Sequence, residues 1–160
     1  MSRETIALAA DHAGLDLKSI LKDELVRMGY EVLDLGTNDT ASVDYPDYGF
    51  AAAKAVADGR ATRAVVVCGS GIGISIAANR LPAVRAALCH DALTARLARQ
   101  HNDANVLALG ARTTGIETAK DCLRVFLATA FEAGGRHSRR VAKLAALAGE
   151  APPAARRANG

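Results

Sequence analysis

The stretch from Ala64 to Arg80, AVVVCGSGIGISIAANR, constrains the fold of this chain more than any other part of its sequence. A β-branched apolar run ends at Cys68, and glycines then occupy the alternate positions 69, 71 and 73. Such runs are typical of buried strands, and closely spaced glycines are typical of tight turns. A helical pattern follows the glycines, so the stretch predicts a strand, a turn and a helix in direct succession.

Cys68, at the end of this predicted strand, has two interpretations. A helix N-terminus preceded by glycines presents unpaired backbone N–H groups and the positive end of the helix dipole, which attract anions and favour a thiolate. On that interpretation Cys68 is a base or a nucleophile. A cysteine at a strand end can equally be one more small buried hydrophobic side chain. The sequence pattern leaves both interpretations open.

Short apolar runs alternate with helical patterns along the whole chain. This alternation predicts an open, parallel α/β sheet with right-handed crossovers and helices on both faces. The predicted strands are Thr5–Ala10, Glu31–Gly36, Ala64–Cys68, Val84–Cys89 and Val106–Gly110. Two further helices follow the last strand, the second from about Arg136 to Leu147. Because ligands of such sheets bind at the carboxyl ends of the strands, we expect function in the residues just after each run.

The length of the chain indicates one domain and a tail. A chain of 160 residues is long enough to bury one substantial core without metal or disulfide support. We assign residues 1–148 to a single domain. Residues 149–160, GEAPPAARRANG, mix small residues, prolines and arginines without apolar periodicity. We predict that this tail is disordered.

Composition excludes several classes of protein. Three widely spaced cysteines without a CxxC pair are typical of a reducing cytosol and argue against disulfides and a structural zinc site. The apolar runs are too short to span a membrane, and no export signal is recognisable at the N-terminus. A net charge of +3 without any tryptophan does not favour nucleic-acid binding. We therefore expect a cytoplasmic protein with neither a membrane nor a nucleic-acid partner.

Polar residues follow the first two strands. Asp11 and His12 come directly after the first strand, at the edge of the sheet where Cys68 is also expected. The pair is either part of an anion site or a turn with a hydrogen-bonded histidine. Tyr45 precedes Pro46 in the loop after the second strand. It is either a hydroxyl donor or stacking ring in the same crevice, or a packing residue only.

Two groups of polar residues lie later in the chain. His101, in HND, is either a cap at a helix C-terminus or a general acid or base that titrates near neutrality. Arg136 and Arg140 are four residues apart, which places both guanidinium groups on one side of a helix. They either grip a phosphate, with Arg112 as a third cation, or form a solvated basic face.

Other nucleotide and metal motifs are not supported. No GxxxxGK[ST] sequence is present, which excludes a typical P-loop. Gly69-x-Gly71 fits half of a dinucleotide fingerprint, but Ile74 stands where the third glycine or alanine belongs. A metal site from His12, His101 and His137 lacks any local ligand partner at helix or hairpin spacing.

Five segments together closely resemble the ribose-5-phosphate isomerase B family of sugar-phosphate isomerases. They are AADHAG (9–14), DYPD (44–47), CGSGIGISIAANR (68–80), RQHNDANVLALGAR (99–112) and GGRHSRR (134–140). The resemblance covers residues 5 to 147. It implies a Rossmann-like, three-layer α/β fold and a homodimer, or a dimer of such dimers, with active sites shared between subunits and the C-terminal helix in the interface. It also implies a phosphorylated sugar as substrate and no cofactor or metal.

The resemblance assigns catalytic roles to three residues. Cys68 corresponds to the family's base, which moves a proton between C2 and C1 of the open-chain sugar. His101 corresponds to the group that opens the furanose ring, with Asp11 assisting. The turn corresponds to the anion hole for the enediolate oxygen. Its residues are Gly69, Ser70, Gly71, Ile72 and Gly73.

The resemblance also assigns substrate-binding roles. His12, Arg136 and Arg140 correspond to the phosphate grip. Asn102 and Arg112 correspond to contacts with substrate hydroxyls that reach in from the partner subunit. FEAGGRH has one residue more before Gly134 than the usual family spacing, which puts the approach of the two late arginines in question.

The expected reaction is the interconversion of ribose 5-phosphate and ribulose 5-phosphate. The alternatives within the family are allose 6-phosphate, galactose 6-phosphate and erythrulose 4-phosphate. A non-catalytic module that binds phosphate or nucleotides is the alternative from another class.

Overall fold

The structure, a computed structural model, describes residues 3–149. Its strands are β1 (Thr5–Ala10), β2 (Glu31–Asp34), β3 (Arg63–Cys68), β4 (Ala86–Leu88) and β5 (Val106–Gly110). Its helices are α1 (Leu15–Arg27), α2 (Tyr45–Ala57), α3 (Ile72–Ala78), α4 (Ala92–Asn102), α5 (Ile116–Ala128) and α6 (Gly135–Gly149). A short 3₁₀ turn, His12–Gly14, joins β1 to α1.

All the strands pair in parallel in one sheet, in the order β2-β1-β3-β5-β4. The predicted five-stranded parallel α/β fold is therefore confirmed. The chain runs outward from β1 to β2 and then crosses to β3 on the other side of β1. This reversal is the switch point at which ligand crevices form in such sheets.

Side chains alternate between two core layers, one on each face of the sheet. Ile6 and Leu8 of β1 pack with apolar residues of α1, α4 and α5 on one face. Ala7 and Ala9 pack with α2 and α3 on the other face. This alternation is the period-two pattern of a strand that is buried on both sides.

The bounds of three strands differ from those predicted, and β3 differs only in beginning at Arg63 rather than Ala64. The second strand ends at Asp34 rather than Gly36, because the Asp34 carboxylate turns to bind a buried lysine and accepts the N–H of Gly36 at 3.0 Å. The fourth strand is Ala86–Leu88 rather than Val84–Cys89, and it is an edge strand paired only with β5. The tail predicted at 149–160 lies outside the described residues from 150 onward.

Among residues 3–149, no helix combines the length and apolar character that a membrane crossing needs.

A buried cation ties α1 to the end of β2. Lys18 is 1% exposed, and its Nζ donates to Asp34 Oδ1 at 2.6 Å and to Asn38 Oδ1 at 3.0 Å. Lys22 Nζ donates to the other Asp34 oxygen at 2.9 Å. Burial by itself would raise the pKa of Asp34, but the hydrogen bonds from Lys18 and Lys22 outweigh it and lower that pKa. The carboxylate therefore stays charged and neutralises the buried lysine.

We predict that Asp34→Asn lowers the free energy of unfolding by about 3 kcal/mol, because Lys18 then remains buried without a counter-charge. Urea denaturation measures this loss. Asp58→Asn, which breaks the exposed pair between Lys54 and Asp58 at 3.0 Å, is the control and should cost less than about 1 kcal/mol.

Acidification gives a second measurement of the same pair. Because the pKa of Asp34 is lower in the folded chain, its contribution is present above the unfolded pKa of about 3.9 and is lost as the pH falls through the folded value. Equal losses in Asp34→Asn and Asp58→Asn would contradict the role of the buried pair.

Candidate active site

The strand register brings Asp11 and Cys68 to the same edge of the sheet. Ala10 of β1 lies opposite Val67 of β3, so the residues that follow both strands emerge side by side. Here the chain forms a cleft of about 410 Å³. Its lining contains eight of the residues predicted for the site: Asp11, His12, Tyr45, Cys68, Gly69, Ser70, Gly73 and Arg112.

The turn after β3 holds the Cys68 sulfur at the beginning of α3. Cys68 Sγ accepts the backbone N–H of Gly71 at 3.1 Å. Gly71 has a left-handed conformation, with φ at 76°, and a Cβ there would lie 2.5 Å from Leu88 Cδ1. Only glycine fits both conditions. The sulfur therefore lies beside an N–H donor at the beginning of a helix, as the sequence predicted.

Tyr45 closes one side of the cleft. It begins α2, and its ring lies so near α3 that a Cβ on Gly73 would be 2.5 Å from the ring Cζ. The packing of the Tyr45 ring therefore leaves no room for a side chain at Gly73, the third glycine of the turn. Ile72, the residue between the last two glycines, is 55% exposed and does not line the cleft.

His12 is fixed in one orientation by the loop before α2. Its Nδ1 accepts the backbone N–H of Val43 at 3.1 Å. The neutral ring therefore carries its proton on Nε2, which leaves that nitrogen as a hydrogen-bond donor. His12 lines the cleft, so this donor suits an anionic ligand.

Asp11 has a structural role as well as a place in the cleft. Its Oδ1 accepts the N–H of Gly14 at 3.1 Å and caps the 3₁₀ turn. Its backbone N–H donates to the Val67 carbonyl at 3.2 Å. The carboxylate is only 6% exposed, so its orientation is set before any ligand arrives.

Arg112 lies in the cleft of its own chain, whereas the family resemblance suggested that it reaches in from a partner. The physical reason is the pairing of β5 with β3, in which Gly110 lies opposite Cys68. The Arg112 N–H donates to the Gly69 carbonyl at 2.9 Å. Its guanidinium covers Gly69, where a Cβ would lie 3.1 Å from Nη1.

The other predicted residues do not join this cleft in one chain. His101, Asn102, Arg136 and Arg140 are absent from its lining. His101 lies in the last turn of α4, where its ring stacks on His137 with the centroids 4.3 Å apart and the planes at 5°. The metal set of His12, His101 and His137 is not supported, because His12 lies in the cleft and the other two stack outside it.

His137 packs against the predicted His101, a contact that no spacing along the sequence indicates. It is 8% exposed. Burial lowers the pKa of His137, and the nearby His101, Arg136 and Arg140 lower it further, against the effect of Glu132. The imidazole ring of His137 is therefore uncharged at a pH near 7. The sequence signal for His137 is its position in GGRH, next to Arg136, which is predicted to bind phosphate.

The turn that precedes α6 is held by hydrogen bonds at both of its ends. Glu132 donates its N–H to the Gln100 carbonyl at 3.1 Å. Gly134 and Gly135 have φ values of 92° and 62°, and Ser138 Oγ accepts the N–H of Gly134 at 2.7 Å. Arg136 and Arg140 follow this turn on the same helix, four residues apart.

The remaining thiols are buried away from the cleft. Burial raises the pKa of Cys89 and of Cys122 to about 11 each. Both pack in the core layer beneath α1, α4 and α5. Cys68 is therefore the thiol of the described chain that a small reagent in the cleft can reach.

Comparisons with known proteins identify relatives over nearly the whole described chain. A family model described as "Ribose/Galactose Isomerase" matches residues 6–144. Ribose-5-phosphate isomerase B of Escherichia coli is 44% identical over 142 residues, which cover 89% of this chain and 95% of the relative. A D-erythrulose-4-phosphate isomerase of Pectobacterium atrosepticum is 42% identical over 132 residues, 82% of this chain and 87% of the relative.

A solved structure is equally similar. The ribose-5-phosphate isomerase B of Clostridium thermocellum superposes with a TM-score of 0.88 at 48% identity. The match covers 89% of this chain and 96% of that one.

We predict that iodoacetamide alkylates Cys68 first in the native protein near neutral pH. A pKa of about 11 leaves Cys89 and Cys122 with a thiolate fraction below roughly one in a thousand. Mass spectrometry of the peptides measures the order, and the urea-unfolded chain, in which all three thiols should react, is the control. Native labelling of Cys89 or Cys122 at the rate of Cys68 would contradict this assignment.

Proposed function

The chain belongs to the ribose/galactose isomerase family and is an aldose–ketose isomerase, and we propose that it interconverts ribose 5-phosphate and ribulose 5-phosphate through an enediolate. The observation that carries the proposal is the Cys68 sulfur, held by the Gly71 N–H in a cleft that also contains His12 and Arg112. The relatives from Escherichia coli and Clostridium thermocellum, both named ribose-5-phosphate isomerase B, support the same substrate pair.

Proton transfer between the two carbons requires a base in reach of both. A carbon next to a carbonyl is only weakly acidic, so the base must act while the developing oxyanion is stabilised. Cys68 as thiolate takes the proton from C2 of the aldose, and the carbonyl oxygen at C1 takes up the negative charge of the enediolate. A proton then passes from the C2 hydroxyl to the C1 oxygen, and the Cys68 thiol returns its proton to C1, which yields the ketose. The backbone N–H groups of the turn face the enediolate oxygen, and one such donor is typically worth roughly 2.7–4 kcal/mol.

The phosphate provides binding energy that positions the reacting carbons against the base. His12 Nε2 and the Arg112 guanidinium are donors in the cleft that carries Cys68. We assign Arg136 and Arg140, which are spaced one turn apart on α6, to the same phosphate from a second copy of the chain. We assign Asn102 of the same second copy to the hydroxyl groups of the sugar.

His101 is assigned to ring opening, with Asp11 assisting. Opening the furanose needs a proton moved between the ring oxygen and the C1 hydroxyl, and an imidazole does both near neutrality. Since His101 and the cleft of its own chain do not meet, this step also requires a homodimer in which each site draws on both subunits.

An exposed apolar surface next to the cleft supports that dimer. Phe50, Ile72 and Ile76 are 43%, 55% and 50% exposed on α2 and α3. Large apolar side chains grouped on adjacent helices are typical of protein–protein contacts. A partner seated there would lie beside the mouth of the cleft. The three free cysteines are compatible with the proposed cytoplasmic location.

A four-carbon substrate is the second candidate, because one relative of similar identity is named D-erythrulose-4-phosphate isomerase. A tetrose esterified at O4 cannot close a furanose ring, so an enzyme dedicated to it has no chemical need for a ring-opening histidine. The stacked and anchored His101 therefore favours the pentose.

We predict that purified protein has its highest kcat/KM for ribose 5-phosphate among aldose phosphates of four to six carbons, also in the presence of a chelator. Cys68→Ala should abolish turnover of every substrate while phosphate binding, measured by calorimetry, persists. A higher kcat/KM for the tetrose 4-phosphate would overturn the pentose assignment, and unchanged turnover in Cys68→Ala would overturn the base.

We predict that two inactive variants restore each other. In a dimer with shared sites, a mixed pair of Cys68→Ala and His101→Ala has one site with both substitutions and one with neither. Random reassortment of equal amounts should then recover roughly a quarter of the wild-type specific activity. The separate variants, refolded alone in the same way, are the controls. No recovery, with mixed dimers shown by native mass spectrometry, would contradict the shared site.

A further inference from the structure

A second cluster of side chains outside the cleft has the composition of a metal site. His101, Glu132 and His137 each offer one ligand atom, and these atoms all lie within 4.8 Å of one another. His137 Nε2 lies 3.8 Å from Glu132 Oε2. The ring-opening step uses only His101 of the three, so the grouping itself is not explained by catalysis.

We propose that His101, Glu132 and His137 bind a transition-metal dication such as Zn²⁺, and that the bound ion inhibits the isomerase by occupying a nitrogen of His101. The inhibition rests on the proposed function, whereas the binding does not.

The scaffold already holds the three residues together. The backbone N–H of Glu132 donates to the carbonyl of Gln100, the residue before His101, at 3.1 Å. His137 is fixed in the first part of α6 by burial and by its stack on His101. Two ligands thus stand on helix ends, and the third is tied by its backbone to one of them.

The lone pairs of two stacked imidazoles lie in parallel planes, so the rings of His101 and His137 must tilt out of their stack before one ion can bind a nitrogen of each. Metal–nitrogen and metal–oxygen bonds of about 2.0–2.2 Å in a tetrahedron place neighbouring ligand atoms about 3.4 Å apart. The side chain of Glu132 is 53% exposed, so it can rotate toward the histidines without disturbing the core. His101 is only partly buried, so its ring has room to tilt away from the ring of His137.

The donor set selects the class of ion. Two imidazoles and one carboxylate form a His₂Glu set, which in proteins binds zinc with a fourth position left to water. Imidazole suits Zn²⁺, Ni²⁺ and Cu²⁺, whereas Mg²⁺ and Ca²⁺ require several oxygen ligands. The cluster contains no thiolate, so its metal would be bound through nitrogen and oxygen alone.

Neighbouring cations limit the affinity. Arg136 Nε lies 3.4 Å from His137 Nε2 and must give up that contact when the metal binds. Arg140 adds positive charge in the same field. We therefore expect micromolar binding, as suits a reversible inhibitory site rather than a resident structural ion.

Calorimetry with ZnCl₂ on the full, dialysed chain is the first test. We expect one site per chain. Glu132→Gln and His137→Asn should each weaken binding by roughly tenfold or more. His90→Asn, at an exposed histidine outside the cluster, is the matched control and should bind as the wild type does. Glu132→Gln alters an exposed side chain, so it keeps the test valid if His137→Asn fails to fold.

Absorption with Co²⁺ distinguishes this cluster from the Cys68 thiol. A nitrogen and oxygen site gives visible bands without a sulfur-to-metal charge-transfer band in the near ultraviolet. A charge-transfer band that disappears in Cys68→Ala, or zinc binding unchanged in both cluster variants, would overturn the proposal.

Inhibition is measured separately with ribose 5-phosphate. Zn²⁺ should halve turnover at a free concentration near its calorimetric Kd and abolish it well above that concentration, and a chelator should restore it. Glu132→Gln should resist the metal. Zinc bound at the cluster with turnover unaffected would overturn the inhibitory role. If the chain does not isomerise ribose 5-phosphate at all, turnover is absent without zinc, while calorimetry still reports the site.

Discussion

The position of β3 between β1 and β5 is the constraint on which the rest of the structure depends. Its register sets Val67 opposite Ala10 on one side and Cys68 opposite Gly110 on the other. A slip of one residue would turn Cys68 to the opposite face of the sheet, because side chains alternate along a strand. The same pairing decides that Arg112, two residues beyond β5, lies in the cleft of its own chain.

The loop after β2 leads into the cleft, and it begins at the buried ion pair of Lys18 and Asp34. Lys18 holds Asp34 and Asn38, and so fixes the beginning of the loop after β2. The same loop supplies the Val43 N–H that orients His12. The loop is therefore bound by the ion pair at its beginning, and its Val43 N–H fixes the orientation of the His12 ring. Helix α1, which carries Lys18, thus contributes to the geometry of the loop that leads into the site.

Local patterns predicted the fold and the cleft well, because both follow from short segments. β1 and β5 have the bounds that their apolar runs indicate, and the residues after adjacent parallel strands do meet. Cys68 is 4% exposed and also lines the cleft, so its burial is confirmed, while its role as the base stays a prediction. The grouping of His137 with His101 could not be predicted, because it arises from the packing of α6 on α4 and not from any spacing along the chain.

The candidate site residues lie in two clusters, one in the cleft with Cys68 and one around His101 outside it. This separation limits how a complete site can form. His101 cannot swing into its own cleft without dismantling the end of α4. Arg99 there binds Asp103 at 2.9 Å and the Ala104 carbonyl at 2.6 Å, and Arg85 binds the Asp103 carbonyl at 2.9 Å. These charge-assisted bonds are among the stronger contacts in a protein, so breaking several of them to move one imidazole is unfavourable. In the proposed dimer, a second copy of the chain would bring its own His101 to the cleft without that cost, so a rigid α4 is compatible with a site shared between subunits.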